Sequence, residues 1–221
     1  MAGTVNVEVR RSGKRFDAEA VLDLPANAET IWQTITDYPA LPRFMPGIRA
    51  CRVVDRQPTA DGERLRVEQR GEFRFLLFAQ SMNVDLEIDH RPLRSAFARA
   101  TRFDVGLLKT RALDVFEGRY EIEPMGEHLS AQMSGPMGGP MSGPMSGQGG
   151  AQASTRRSGT TGKPRARNTA PGAAPRTRLR YTATIVLRVP PPPAVGSAAV
   201  RQNLAAQLHA VAQEVARRTA A

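Results

Sequence analysis

From residue 177 to residue 189 the chain reads TRLRYTATIVLRV. Leu179, Tyr181, Ala183, Ile185 and Leu187 fall on one side of an extended chain, while Arg180, Thr182, Thr184 and Arg188 fall mostly on the other. A period of two, apolar on one side and polar on the other, marks a strand that covers a core and also meets water. Such a strand is not stable by itself. It demands neighbouring strands and an apolar layer against its inner face.

The same alternation recurs upstream. RFDAEAVLDL (Arg15–Leu24) alternates and stops at Pro25. IRACRVVDR (48–56) is followed by the turn QPTADG and then by ERLRVEQRG, which puts Leu65, Val67 and Gln69 on one side. In FRFLLFAQSMNVDLEIDH, Met82, Val84, Leu86 and Ile88 oppose Asn83, Asp85, Glu87 and Asp89. Phe73, Phe75 and Phe78 make the start of that stretch apolar on both sides, suited to a cavity, to Trp32 or to another chain. SAFARATRF (95–103) and VFEGRYEIEP (115–124) follow, the latter with Phe116, Tyr120 and Ile122 together. Seven strands joined by short turns predict an antiparallel sheet. The inward face of residues 95–103 stays open, because Phe97 and Phe103 alternate against three alanines.

Two helices interrupt or close this series. ANAETIWQTITDY starts after Pro25, with Asn27 placed as N-cap and Ile31 and Ile35 on one face. The stretch 198–218 carries Val200, Leu204, Leu208, Val211 and Val215 at helical spacing, without an internal proline or glycine. At 1.5 Å per residue it is roughly 30 Å long, enough to cross a whole sheet.

Residues 126–176 depart from all of this. Gly-Pro-Met recurs from Gly135, Gly139 and Gly143, amid Ser, Gly and Arg. That composition cannot bury enough apolar surface to offset the entropy of ordering it, so a disordered insertion is expected at the tip of a hairpin. It also explains the charge. The net charge is +10, and eight Lys/Arg with no Asp or Glu lie between His128 and Arg180, leaving +2 elsewhere. Residues 1–14 read as an N-terminal extension and 15–221 as one domain around the insertion.

Between the first helix and the next strand lies DYPALPRFMPG (37–47), too broken by proline for one helix and unusually apolar for a connection. Tyr38, Leu41, Phe44 and Met45 either plug the core or form the lip of a cavity.

Little in the chain suggests chemistry. It has one cysteine, Cys51, in the strand-like RACRVV, where a buried inert thiol is expected. The three histidines are poor catalytic candidates: His128 lies in the insertion, His90 in the turn DHRP, and His209 at the margin of the last helix's apolar stripe. No nucleophile elbow, phosphate-cradling glycine loop or metal-ligand spacing is present, and no cofactor is expected. No apolar run is long enough to span a membrane, and MAGTVNVEVRRSGKRF lacks the apolar core of a secretory signal, so a cytoplasmic protein is expected.

The order strand, helix, broken apolar loop, six strands, long helix, with DYPALPRFMPGI and FEGRYEIEP, resembles the START-like superfamily. That superfamily comprises polyketide cyclases, dehydrases and lipid-transport proteins. Within it, the chain resembles the cyclase/dehydrase group that includes coenzyme Q-binding START-domain proteins. The resemblance implies an α+β helix-grip fold, a curved antiparallel sheet around the C-terminal helix with a cavity between them. It implies a hydrophobic ligand: a lipid, an isoprenoid quinone or a polycyclic aromatic. Contacts would come from the loop residues Tyr38, Leu41, Phe44 and Met45, and from the strand residues Val67, Gln69, Phe78, Met82, Val84, Phe116, Tyr120, Tyr181 and Ala183. The final helix would add Leu204, Leu208 and Val211. A cyclase/dehydrase enzyme is the alternative, though the sequence shows no acid or base for it. The basic insertion suits weak, salt-dependent contact with an anionic membrane, RNA or ribosomes. It lacks the aromatics that would stack on bases.

Overall fold

The computed structural model describes residues 5–75, 78–106, 110–125, 175–189 and 196–220, with backbone alone for 73–75, 78–80 and 110. In chain order the elements are β1 (Asn6–Ser12), β2 (Arg15–Leu24), α1 (Ala28–Thr36), a 3-10 turn (Tyr38–Ala40) and α2 (Leu41–Phe44). Then come β3 (Ile48–Thr59), β4 (Gly62–Phe75), β5 (Phe78–Arg91), β6 (Ser95–Val105), β7 (Thr110–Arg111), β8 (Leu113–Met125), β9 (Arg176–Leu187) and α3 (Gly196–Thr219). The strands form one antiparallel sheet in the order β1-β2-β9-β8-β6-β5-β4-β3, with β7 beside β6.

The seven expected strands are all present, and two more join them. β1 comes from the stretch read as an extension. Val7 and Val9 are half-buried and Asn6, Glu8 and Arg10 exposed, an alternation too short and too charged to stand out in sequence. β7 is two residues long. β8 and β9 pair as a hairpin from Leu113↔Leu187 to Met125↔Arg176. Residues 126–174 leave from its tip, and the Gly-Pro-Met repeats and His128 lie outside the described residues. Three of the eight basic residues counted with that segment belong to β9. Arg178 is held by Asp23 at 2.7 Å and Arg180 by Glu19, so these charges are rungs on the outer face of the sheet.

A β-bulge settles the open face of β6. Ala100 pairs with Leu86 but Arg102 with Asp85, so the register slips by one residue at Thr101. Ala96, Ala98 and Ala100 therefore face inward and so does Phe103, which pairs with Val84. Phe97 faces outward, beneath the Arg119 guanidinium at 5.2 Å.

α1 begins where expected: the Asn27 side chain accepts a hydrogen bond from the Thr30 amide at 2.8 Å. α3 packs against β1, β2 and α1. Leu204 and Leu208 share a cluster with Ala18, Ala20, Tyr181 and Ala183. One turn further on, Val211, Ala212 and Val215 join Leu22, Leu24, Ile31, Ile35, Ile122 and Leu179. A third cluster, with Leu65, Val67, Val84, Leu86 and Ile88, covers the inner side of β4 and β5. Among the described residues, none of α3 belongs to this third cluster. The helix covers one half of the sheet's inner face, and the connection 37–47 reaches over the other.

Candidate functional site

The antiparallel register arranges the inner face in rows that cross the strands. One row runs Ala20, Tyr181, Tyr120, Ala96, His90, Glu63. The next runs Ala18, Ala183, Gly118, Ala98, Ile88, Leu65. The first carries Tyr181, Tyr120, His90 and Glu63. The second is small across four adjacent strands before it becomes aliphatic.

At the β4–β5 end of the polar row, the Tyr38 hydroxyl lies 2.6 Å from His90 Nε2, and His90 Nδ1 lies 3.1 Å from Glu63 Oε1. Arg56 Nη1 approaches the same carboxylate at 3.2 Å. The His90 imidazole is 4 % exposed, its ring stacked beside Tyr38 at 5.7 Å and met edge-on by Trp32 at 5.1 Å. Burial lowers the His90 pKa against the opposing pull of Glu63, so the ring is neutral. The carboxylate can only accept, so Nδ1 carries the proton and donates it to Glu63. Nε2 then accepts from Tyr38. Burial pushes the Tyr38 phenol well above the usual tyrosine range, so its proton stays in place. Glu63 and Arg56 line a surface depression of about 410 Å³ with Gln57, Pro58, Gly62 and Pro92. The chain Tyr38–His90–Glu63 thus links the interior to this depression.

Sequence reading missed this group by placing His90 in a turn. His90 lies within β5 and faces inward. The alternation Met82, Val84, Leu86, Ile88 simply continues to it, and that was the signal available.

At the other end of the row the rings of Tyr120 and Tyr181 are 4.6 Å apart. Burial raises the Tyr181 pKa to about 12. It raises that of Tyr120 too, helped by the nearby phenols of Tyr181 and Tyr38. Both are neutral hydrogen-bond donors.

The predicted ligand residues fall into distinct settings. Tyr38 and Leu41 are buried in the β4–β5 cluster with Val67 and Val84. Phe44 and Met45 are half-buried and touch both that cluster and the one beneath α1. The connection 37–47 is therefore packed onto the core along its length, fully buried at Tyr38 and Leu41 and half-buried at Phe44 and Met45. Met82 and Phe116 border the β4–β5 cluster half-exposed. Gln69 is half-buried and pairs across β3 and β4 with Cys51, whose thiol pKa burial pushes up to about 11. Tyr181, Ala183, Leu204 and Leu208 pack together with Tyr120 at their border, whereas Val211 sits apart beneath α1. The Phe78 side chain, like those of Phe73 and Phe75, lies outside the described residues.

A second depression, about 340 Å³, opens on the outer side of the sheet among Asp17, Glu19, Glu117 and Arg119, and backs onto Ala18, Gly118 and Ala183. Among the described residues, no three His, Cys, Asp or Glu side chains converge as a metal site would require. No described helix is long and apolar enough to cross a membrane.

No curated protein matches the chain. Its fold is shared with solved structures of low identity. A START superfamily protein from Mycobacterium smegmatis superposes with a TM-score of 0.57 at 14 % identity, covering 91 % of this chain and 97 % of the other. The Zhui aromatase/cyclase from Streptomyces sp. R1128 gives 0.53 at 14 %, covering 93 % and 96 %. A STAR-related lipid transfer protein from Xanthomonas axonopodis gives 0.52 at 10 %, covering 96 % and 93 %. These likenesses establish the helix-grip, START-like fold. The family model described as polyketide cyclase / dehydrase and lipid transport matches residues 24–212, from the end of β2 into the last turns of α3, and the chain belongs to that family.

Proposed function

We propose that the protein binds a hydrophobic small molecule against the inner face of its sheet, as a carrier or sequestering protein. One observation carries the reading. On the half of the sheet beyond α3, the inward side chains of Met82, Ala98, Ala100, Phe103 and Phe116 are only half-buried, although they are apolar. A protein that needed only stability would bury them. Phe44 and Met45 stand beside this surface from the proline-stiffened connection. Moving apolar surface from water onto such a wall is worth roughly 25 cal/mol per Å². A lipid, an isoprenoid quinone and a polycyclic aromatic are the ligand classes in question, with the coenzyme Q-binding group as the relatives to test first. The domain is read as residues 15–221 with β1 added at its edge, and a cytoplasmic location accords with the single buried cysteine. The test is native mass spectrometry of the purified protein, followed by organic extraction. One equivalent of a carried lipid or quinone is the expected result. Protein that stays empty after incubation with all three classes contradicts the proposal.

A second reading, an enzyme of the cyclase/dehydrase type, is favoured by the Tyr38–His90–Glu63 chain. It sets a buried phenol against a histidine, with a carboxylate behind that histidine. If this reading holds, His90→Gln abolishes turnover of a polyketide-like substrate while leaving its binding intact. Contact of the basic insertion with anionic vesicles or RNA is tested by deleting residues 127–175, which should abolish any such contact.

A further inference from the structure

β1 ends one side of the sheet, and among the described residues no strand lies along its outer edge. β3 ends the other side. An open edge can pair with a further strand, and proteins blunt such edges with bulges, proline or charge. β3 is blunted in this way. Its register slips twice, between Ile48 and Ala50 and between Val53 and Asp55, and Pro58 has no amide to donate. β1 has neither device. It pairs with β2 from Asn6↔Val21 to Ser12↔Arg15 without a slip, and it contains no proline. Its inward charge, Arg11, is drawn back from the edge. The guanidinium lies 5.5 Å from the centre of the Phe16 ring on β2, and Nε donates to the Gly13 carbonyl at 3.0 Å.

The outward side chains of β1 are not satisfied by their own sheet. Glu8 lies opposite Glu19, a like charge that is already held by Arg180. Arg10 lies opposite Asp17, which is held by Arg15 at 2.8 Å and by the Thr184 hydroxyl at 2.8 Å. Among the described residues, neither the Glu8 nor the Arg10 side chain has an ion-pair or hydrogen-bond partner. On the inner side, Val7 and Val9 are half-buried at the border of the cluster that holds Leu204 and Leu208.

We propose that β1 pairs with β1 of a second copy of this chain, antiparallel, about a two-fold axis that passes through the sheet at Val9. Such an axis keeps the two inner faces on one side, so outward residues must meet outward residues. Only the register that sets Asn6 against Ser12 then pairs the whole strand. In it Val9 meets Val9, and Glu8 of each copy meets Arg10 of the other. The neighbouring registers that keep the faces matched set Glu8 against Glu8 or Arg10 against Arg10. Like charges directly opposite one another destabilise a strand pair, so these registers are disfavoured. The strand is its own complement. A contact confined to one strand pair falls among the small interfaces, below roughly 1,200 Å² in all, so the dimer should be weak and concentration-dependent. It leaves the inner face free and does not depend on any ligand there.

The test is sedimentation velocity on the full-length chain from about 1 to 300 μM, in about 0.15 M salt. A monomer–dimer equilibrium within that range is expected. Glu8→Arg and Arg10→Glu each turn both Glu–Arg contacts into like-charge contacts, and each should weaken association by at least about tenfold. Mixed in equal amounts, the two variants complement one another and should associate as the unaltered protein does. The double variant Glu8→Arg/Arg10→Glu should do so by itself. Thermal melts establish that each variant is folded. If Arg10→Glu alone does not fold, Glu8→Arg and the double variant still decide. A chain that stays monomeric at the highest concentration overturns the inference, and so does a dimer that survives both single reversals. Association lost in the single variants and restored neither by mixing nor by the double exchange overturns it as well.

Discussion

A proton added to His90 has nowhere to sit without displacing the one that Tyr38 donates to Nε2. The imidazole is enclosed by Tyr38, Trp32 and the β-sheet. Glu63, which favours the charged form, stands on one side only, and burial prevails. A folded-state pKa below the unfolded value means that the unfolded chain takes up the proton first. Stability is therefore held above pH ~6.5 and declines as pH falls below it. Urea midpoints should drop between pH 7.5 and 5.5, and His90→Gln should flatten that slope. An unchanged slope in the variant would remove His90 as its cause. Close contact at Gly71 makes a second prediction. A Cβ there would lie 1.9 Å from the Gly47 carbonyl oxygen, which accepts the Glu72 amide at 2.8 Å and ties the connection to β4. Backbone cannot retreat as a side chain can, and Gly47 itself has φ +82°. Gly71→Ala should cost about 2–4 kcal/mol in urea denaturation. A loss below about 0.5 kcal/mol would show that β4 and the connection separate freely.

Among the elements, α3 is held at its C-terminal end by more than apolar packing. Glu214 is buried and accepts from Arg217 at 2.7 and 2.8 Å and from Arg218 at 2.8 Å, while Arg218 also reaches Asp37 at 2.8 Å. Arg217 above all, with Arg218, holds the Glu214 carboxylate down to about 2. Its contribution is present above the unfolded value of 4.5 and is lost as pH falls from there toward 2. Glu214→Gln should lower stability at pH 7 and remove part of the acid-induced loss between pH 4.5 and 2.5. Equal acid sensitivity of both proteins would mean that the clasp contributes nothing. At this scale the sequence was informative where periodicity ran long enough. β2, β4, β5, β8, β9, α1 with its Asn27 cap, and α3 all follow from the spacing of apolar residues. β1 was illegible because only two valines mark its inner side, and β6 because a bulge at Thr101 turns Phe103 inward after three alanines. The polar row was only half legible. Tyr120 and Tyr181 stand out as polar interruptions on apolar faces. The link from His90 to Tyr38 and the approach of the Tyr181 phenol to Gly118 depend on contacts 52 residues apart in the first case and across a strand pair in the second. No local pattern encodes either.

At the scale of the whole molecule, residues 126–174 connect two strands that pair directly with each other. β8 and β9 are in register up to Met125↔Arg176, so a tight turn joining those ends should serve the hairpin as well as the native stretch. Deleting residues 127–175 should leave the circular dichroism spectrum and melting temperature of the folded part essentially unchanged, and ligand binding with them. Loss of folding would mean that the insertion belongs to the core. Helix α3 over one half of the sheet, with half-buried apolar side chains over the other, is the feature on which the proposed function turns. The most direct test is methyl NMR on alanine- and methionine-labelled full-length protein titrated with 1,4-naphthoquinone. Shifts should concentrate at Ala98, Ala100 and Met82 on the inner face beyond α3. Binding that leaves those methyl groups unmoved, or no binding at any concentration reached, would contradict a ligand site on the inner face of the sheet.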